Sequence, residues 1–255
     1  MKGLTMLCVS LIAIGLALTG VSSAKVKLED AIAVWLFDEG KGDITKDVSG
    51  NGNDGKLKGG VKWVDGKFGK ALEFNGKDAC VSTEKKLLDS LDALTIVLWA
   101  KPGDIVASRV GLIGQNDAVE FGFINPNTVQ YWTPTTHGVN ATYRFPKKEW
   151  HHIAAVASSS GSAVYLDGEE AAKGSPGKPE TSSYNVNIGG CGVFDPSGNW
   201  FIGILDEVAI FKVALEEDEI KEIMNKGLGA VLGITAVSPD TKLTTTWGRI
   251  KEQSR

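Results

Sequence analysis

A succession of short β-branched and aromatic runs, each closed by a glycine or an Asx turn, limits what this chain can fold into. Val61 to Val64, Ala71 to Phe74, Cys80 to Thr83, Leu94 to Ala100, Val110 to Gly114, Ala118 to Ile124, Thr128 to Trp132, Ala141 to Phe145 and Asn185 to Gly189 all read as strands. Trp150 to Val156 and Ala163 to Leu166 flank Ser158-Ser159-Ser160-Gly161, a hairpin signature, and Asp167-Gly168 turns the chain again. No helical segment separates these runs, which removes the parallel α/β folds. The 31 glycines against 8 prolines mark turn-rich globular sequence rather than collagen-like or disordered chain. Lys173 to Thr181, rich in Gly, Pro, Ser and Lys, reads as a surface loop. One stretch reads as a helix: Leu215 to Met224, with Glu216, Glu217, Asp218 and Glu219 in its first turn, Lys226 at its end and Gly227 as cap. The expected fold is all-β, a two-sheet antiparallel β-sandwich with one short C-terminal helix.

The ends of the chain differ in character from this body. Lys2 followed by the apolar run Leu7 to Leu18 and by Val21-Ser22-Ser23-Ala24 has the pattern of a secretory signal cleaved after Ala24. The run is shorter than the roughly 20 residues a spanning helix needs, so no membrane span is expected after cleavage. The organisation is then a signal peptide over 1–24, a domain over 25–229 and an extension over 230–255, with a secreted, periplasmic or cell-surface location. Cys8 leaves with the signal. Cys80 and Cys191 then either form a disulfide in an oxidising compartment or lie separately buried. A net charge of -4 supplies no cationic patch for a phosphate backbone, which excludes nucleic acid as a partner.

Two acid-rich stretches and a set of aromatic residues are the candidate sites. Gly203 to Phe211 is a strand carrying Asp206 and Glu207 side by side in an apolar run; a carboxylate held there needs a cation or hydrogen-bond donors. Asp47-Val48-Ser49-Gly50-Asn51-Gly52-Asn53-Asp54-Gly55 is dense in oxygen donors and in residues that tolerate left-handed backbone, as a hard-cation loop or a plain Asx-rich turn would be. Tyr131, Trp132, Tyr143, Tyr184 and Trp200 sit in or next to expected loops, where flat rings can stack on sugar faces, whereas Trp35, Trp99 and Trp150 lie in strand runs and read as core. His151 and His152 read as structural, and no Ser/His/Asp arrangement has local support.

Val34-Trp35-Leu36-Phe37-Asp38-Glu39-Gly40, the Asp47 to Gly55 loop, Phe68 to Gly76, the Leu94 strand, the Trp150 to Gly168 hairpin and Gly203 to Val208 with its following helix together resemble the laminin-G-like jelly roll of the concanavalin A-like lectin/glucanase superfamily. The resemblance implies two curved antiparallel sheets and a rim calcium, held by Asp38, Asp47, Asn51, Asn53 and Asp206. Glucanases of that superfamily carry Glu-x-Asp-x-x-Glu on one strand, since retaining hydrolysis needs two carboxyl groups about 5 Å apart. This chain lacks that triplet. The expected function is non-catalytic recognition of a glycan or an extracellular protein, with a glucanase-type hydrolase or a structural adhesion module as the alternatives.

Overall fold

Leu94–Pro102 and Ile202–Phe211, the longest strand runs, lie side by side at the centre of one sheet, and the remaining strands build outward from them. The computed structural model describes residues 26–195 and 198–234; the expected signal sequence and most of the expected C-terminal extension, with Trp247, lie outside the described residues. In chain order the strands are β1 Ala31–Trp35, β2 Ile44–Thr45, β3 Gly55–Lys58, β4 Lys62–Asp65, β5 Lys70–Asn75, β6 Cys80–Ser82, β7 Leu94–Pro102 and β8 Val110–Gln115. They continue as β9 Val119–Asn125, β10 Thr128–Trp132, β11 Val139–Thr142, β12 His151–Ser158, β13 Gly161–Leu166, β14 Glu169–Gly174, β15 Val186–Ile188 and β16 Ile202–Phe211.

The first sheet runs β14-β13-β12-β7-β16-β5-β4, with β1 also paired to β16; the second runs β11-β10-β9-β8-β15-β6-β3-β2. All pairings are antiparallel, as expected for a chain without crossover helices. The core between the sheets gathers alternate residues from each: Ile96, Leu98 and Ala100 of β7, Ile153 and Ala155 of β12, Phe121 and Phe123 of β9, Val129 and Tyr131 of β10. Period-2 alternation sends their neighbours to the outer faces.

The outer face of the first sheet is covered by a second apolar layer. Helix α1, Glu217–Lys226, presents Ile220 and Ile223 to Val97, Ala154 and Ala209. Its start is fixed by the Glu219 carboxylate, which accepts from the Glu216 amide at 2.9 Å, and its end by Gly227, whose amide donates to the Ile223 carbonyl and whose positive φ turns the chain out of the helix. A further turn, α2 Leu228–Val231, packs Leu228 and Val231 into the same layer, so the expected boundary at residue 229 falls inside an element docked on the sheet.

Several local expectations shift. The strand expected over Ala141 to Phe145 forms as β11 two residues earlier, and the chain from Lys173 begins as the end of β14 rather than as loop. β14 carries no apolar alternation, Glu-Glu-Ala-Ala-Lys-Gly, because as an edge strand its pairing to β13 rather than burial holds it. Trp150 is half-buried at the mouth of β12 rather than in the core. Asp206 and Glu207 do not alternate: a bulge between Asp206 and Ala209, with Glu207 at φ 52°, buries both. At that bulge β16 changes neighbour, pairing with β5 through Leu205 and with β1 from Val208.

Candidate functional site

The expected metal ligands fall into two places, and in both the central carboxylate, Asp206 or Asp47, has both oxygens taken by backbone amides. Asp206 Oδ2 accepts from the Lys67 and Phe68 amides at 2.8 and 2.9 Å, and its Oδ1 accepts from the Glu207 amide at 2.8 Å. Glu207 accepts from the Leu228 amide at the start of α2, and Asp38 Oδ1 accepts from the Lys70 amide. Burial, with Glu207 adjacent, pushes Asp206 up to about 8 against the pull of those amides. In the Asx-rich loop, Asp47 accepts from the Val34, Ser49 and Asn53 amides. Asn51 and Asn53 donate to the Ala31 and Ile32 carbonyls. The Lys85 ammonium meets the Gly52 carbonyl at 2.7 Å and Asn53 Oδ1 at 3.2 Å.

A carboxylate offers about four acceptor positions, and Asp47 and Asp206 each use three on backbone amides. Among the described residues no three acidic, imidazole or thiol side chains gather around one point. Asp47 and Asp206 therefore each keep about one free acceptor position, too few for either to anchor a calcium shell. They close the joints between strands, the role of hydrogen-bond donors that the strand's acid pair required.

The aromatic candidates separate by burial. Tyr131 lies on the inner face of β10, fully buried, its hydroxyl donating to the Gly177 carbonyl, and Tyr143 is enclosed edge-on between Phe123 and Phe145. Tyr131 is a core residue, which corrects its reading as a ligand contact: the β10 alternation that buries Val129 also buries Tyr131. Tyr143, just past β11, is buried too, and lines a separate cavity of about 460 Å³ with Ile105, Phe123 and Phe145, away from the other aromatic candidates. Trp132, one residue on, points outward. It joins Tyr184 and Trp200, all three half-exposed, on the outer face of the second sheet.

That face is shaped by a loop lying across it. Cys80 on β6 and Cys191 are joined as a disulfide, with Cα atoms 5.8 Å apart. Beyond Cys191, Val193 and Phe194 are buried against β8 and β9 over three glycines. A Cβ on Gly111 would come within 2.5 Å of Val193, and one on Gly122 within 2.9 Å of the Phe194 ring. Gly114 also faces Val193. The glycines thus form the bed of the loop, and burying the Phe194 ring there stabilises it by about 2 kcal/mol.

The loop leaves a cleft on each side, and Tyr184 lines both. One, of about 420 Å³, is walled by Trp200, Tyr184, Asn185, Asn187, Ser82 and Lys58. The other, of about 340 Å³, is walled by Trp132, Tyr184, Phe194, Arg109, Asn116, Asp117, Glu120 and Asp195. Glu120 sits opposite Trp132 in the β9–β10 pair. Burial pushes its carboxyl up to about 7, although Arg109 draws it down. Asp195 is held below the usual carboxylate range by the Asn199 amide and Arg109. Arg109 NH2 donates to the Phe194 carbonyl at 2.8 Å and stands 3.3 Å from Asp195 Oδ1 and 3.6 Å from Glu120 Oε2.

Sequence reasoning missed Arg109, Asn116, Asp117 and Asn187. The available signal was Glu120: an acid whose strand neighbours Val119, Phe121 and Phe123 are apolar, on the parity opposite the core.

The sequence profile of the concanavalin A-like lectin/glucanases superfamily matches residues 75–221, more than half of the chain. No curated protein sequence matches. Among solved structures, domain 4 of AbnA, a GH43 extracellular arabinanase from Geobacillus stearothermophilus in complex with arabinotriose, superposes with a TM-score of 0.56 at 21% identity, covering 78% of this chain and 99% of that one. The receptor binding domain of botulinum neurotoxin type G superposes at 0.58 with 13% identity, over 77% of this chain and 51% of that one. Trypanosoma rangeli sialidase superposes at 0.59 with 14% identity, over 86% and 36%. This chain therefore spans about half of the toxin domain and about a third of the sialidase. With two antiparallel sheets closed over one core and the profile matched along more than half its length, the chain belongs to the concanavalin A-like lectin/glucanases superfamily.

Proposed function

We propose that the chain is a non-catalytic glycan-binding module of an exported protein, and that it holds its ligand along the outer face of the second sheet. The observation that carries this reading is the line of three half-exposed rings, Trp132, Tyr184 and Trp200, across two adjoining clefts. Sugar rings stack their C–H faces on such side chains, while Asn185, Asn187, Ser82 and Ser183 offer amide and hydroxyl partners to sugar hydroxyls. The disulfide and the glycine bed fix the loop between the clefts, so the rings are positioned before ligand arrives. The bound arabinotriose of the AbnA domain and its extracellular enzyme support a glycan ligand and an exported setting.

One observation favours hydrolysis instead: Glu120 is pushed up while Asp195 is held down, the split that an acid and a nucleophile need. Against it, Arg109 stands within ion-pairing distance of both, and the chain lacks the Glu-x-Asp-x-x-Glu triplet of the superfamily's glucanases. A docking surface of apolar character has little support, because the exposed large apolar residues among those described, Ile44, Val106 and Ile202, lie on three different segments.

Titration calorimetry of the purified protein with arabino-, cello- and chito-oligosaccharides tests the reading. Binding of at least one oligosaccharide, lost in Tyr184→Ala and weakened about tenfold or more in Trp200→Ala with unfolding midpoints unchanged, is the expected result. Binding that survives both substitutions would place the ligand elsewhere, and release of new reducing ends would replace recognition by catalysis.

A further inference from the structure

The cleft at the Trp132 end carries more negative charge than stacking on neutral sugar needs, and we propose that it receives the protonated amine of an amino-sugar residue. This rests on the glycan reading above and names the ligand's chemistry. Three carboxylates, Asp117, Glu120 and Asp195, line the cleft against one guanidinium, Arg109. That guanidinium is already engaged: its Nε and NH2 lie 3.3 Å from the two Asp195 oxygens, and NH2 donates to the Phe194 carbonyl.

Glu120, only 5% exposed, is left with weak partners. Its Oε1 accepts from the Asp117 amide at 3.5 Å, and from the Asn116 amide at 3.0 Å once that group is turned with its nitrogen toward its acceptors. Its Oε2 accepts no hydrogen bond from the described residues and meets Arg109 only at 3.6 Å. A buried carboxylate compensated this thinly is costly to keep ionised, which is why its proton affinity is high. A cationic donor entering the cleft removes that cost. The flanking Trp132 and Tyr184 rings add cation–π attraction and a stacking surface for the sugar carrying the amine. An N-acetyl group in the same place would bring neither charge nor a compact donor, and a carboxylated sugar would meet like charge.

Calorimetry at pH 7 with a glucosamine tetrasaccharide and its fully N-acetylated counterpart decides the matter. The free-amine oligomer is expected to bind about tenfold or more tightly than the acetylated one. That preference should shrink at high salt and in Glu120→Gln and Asp117→Asn, the second at an exposed left-handed position that asparagine tolerates. Trp200→Ala should weaken both oligomers alike. Equal or tighter binding of the acetylated oligomer, or a preference unchanged in both charge variants, would overturn the inference while leaving the glycan reading intact. Failure of both tetrasaccharides and of the neutral oligosaccharides to bind would overturn both readings.

Discussion

Replacing Cys80 and Cys191 together by serine should cost the domain a large part of its stability while leaving its binding face in place. The bridge closes a loop of sequence separation 111. The chain-entropy relation gives about 16 cal/mol/K for a loop of that length, or about 5 kcal/mol at room temperature, as the upper magnitude. Domains of this kind are stable by roughly 5–15 kcal/mol in total, so the change is large enough to read directly. The assay is urea unfolding followed by tryptophan fluorescence, with the wild type measured oxidised and in the presence of a phosphine reductant. Both the reduced protein and the double serine variant should unfold at lower urea, with a steeper slope because the uncrosslinked denatured chain exposes more surface. The loop keeps other anchors: Val193 and Phe194 over the glycine bed, the Gly111 amide on the Asn199 carbonyl at 2.8 Å, and Arg109 on Phe194 and Asp195. Oligosaccharide affinity well below the unfolding range should therefore fall by less than about threefold. A stability loss under about 1 kcal/mol, or two freely alkylated thiols in the native protein, would refute the reasoning.

Three further outcomes follow from particular contacts. His152 is fully enclosed edge-on against Trp99 at 5.4 Å, neither ring nitrogen has a partner among the described residues, and burial pushes the imidazole down to about 4. Because the unfolded chain takes up that proton near 6.5, the contribution is full above 6.5 and is lost as pH falls toward 4. It amounts to on the order of 3 kcal/mol, so His152→Phe should flatten the acid side of the stability profile, and parallel profiles would sink the idea. Gly122→Ala puts a Cβ 2.2 Å from the Val110 carbonyl oxygen and 2.9 Å from the Phe194 ring, and should cost about 2 kcal/mol or more in denaturant unfolding. Gly198→Ala, with φ 88° and open space, should cost about 1 kcal/mol, and equal losses would deny the glycine bed its role. Calcium and excess chelator should give unfolding midpoints within about 1 °C of each other; a calcium-dependent rise that disappears in Asp206→Asn would overturn the closed donor set described for that joint.

Elements whose cause is local are legible along the chain. Thr128–Trp132 forms within its expected bounds, the Trp150 hairpin needed only its β-branched runs and serine-glycine turn, and α1 follows its acidic first turn and glycine cap. Their number and the lack of crossover helices then leave a two-sheet sandwich as the architecture. Which side of each strand faces inward depends on how the strands pair. Tyr131 and Trp132 are adjacent aromatics at the end of one strand, and only the pairing of β10 with β9 buries one and exposes the other. Strand pairing also decided the fate of Asp206 and Glu207, because a bulge is a mismatch between two strands and is written in neither alone. The candidate site belongs to this second class. Arg109, Glu120, Trp132, Tyr184 and Trp200 come from loops and strands spread over some ninety residues. They meet because β9, β10 and the disulfide-anchored loop share one sheet face. Propensity acts within a few residues of chain, whereas the register of distant strands is set by burying one shared core; the first can be read along the sequence, and the second exists only once the core has formed.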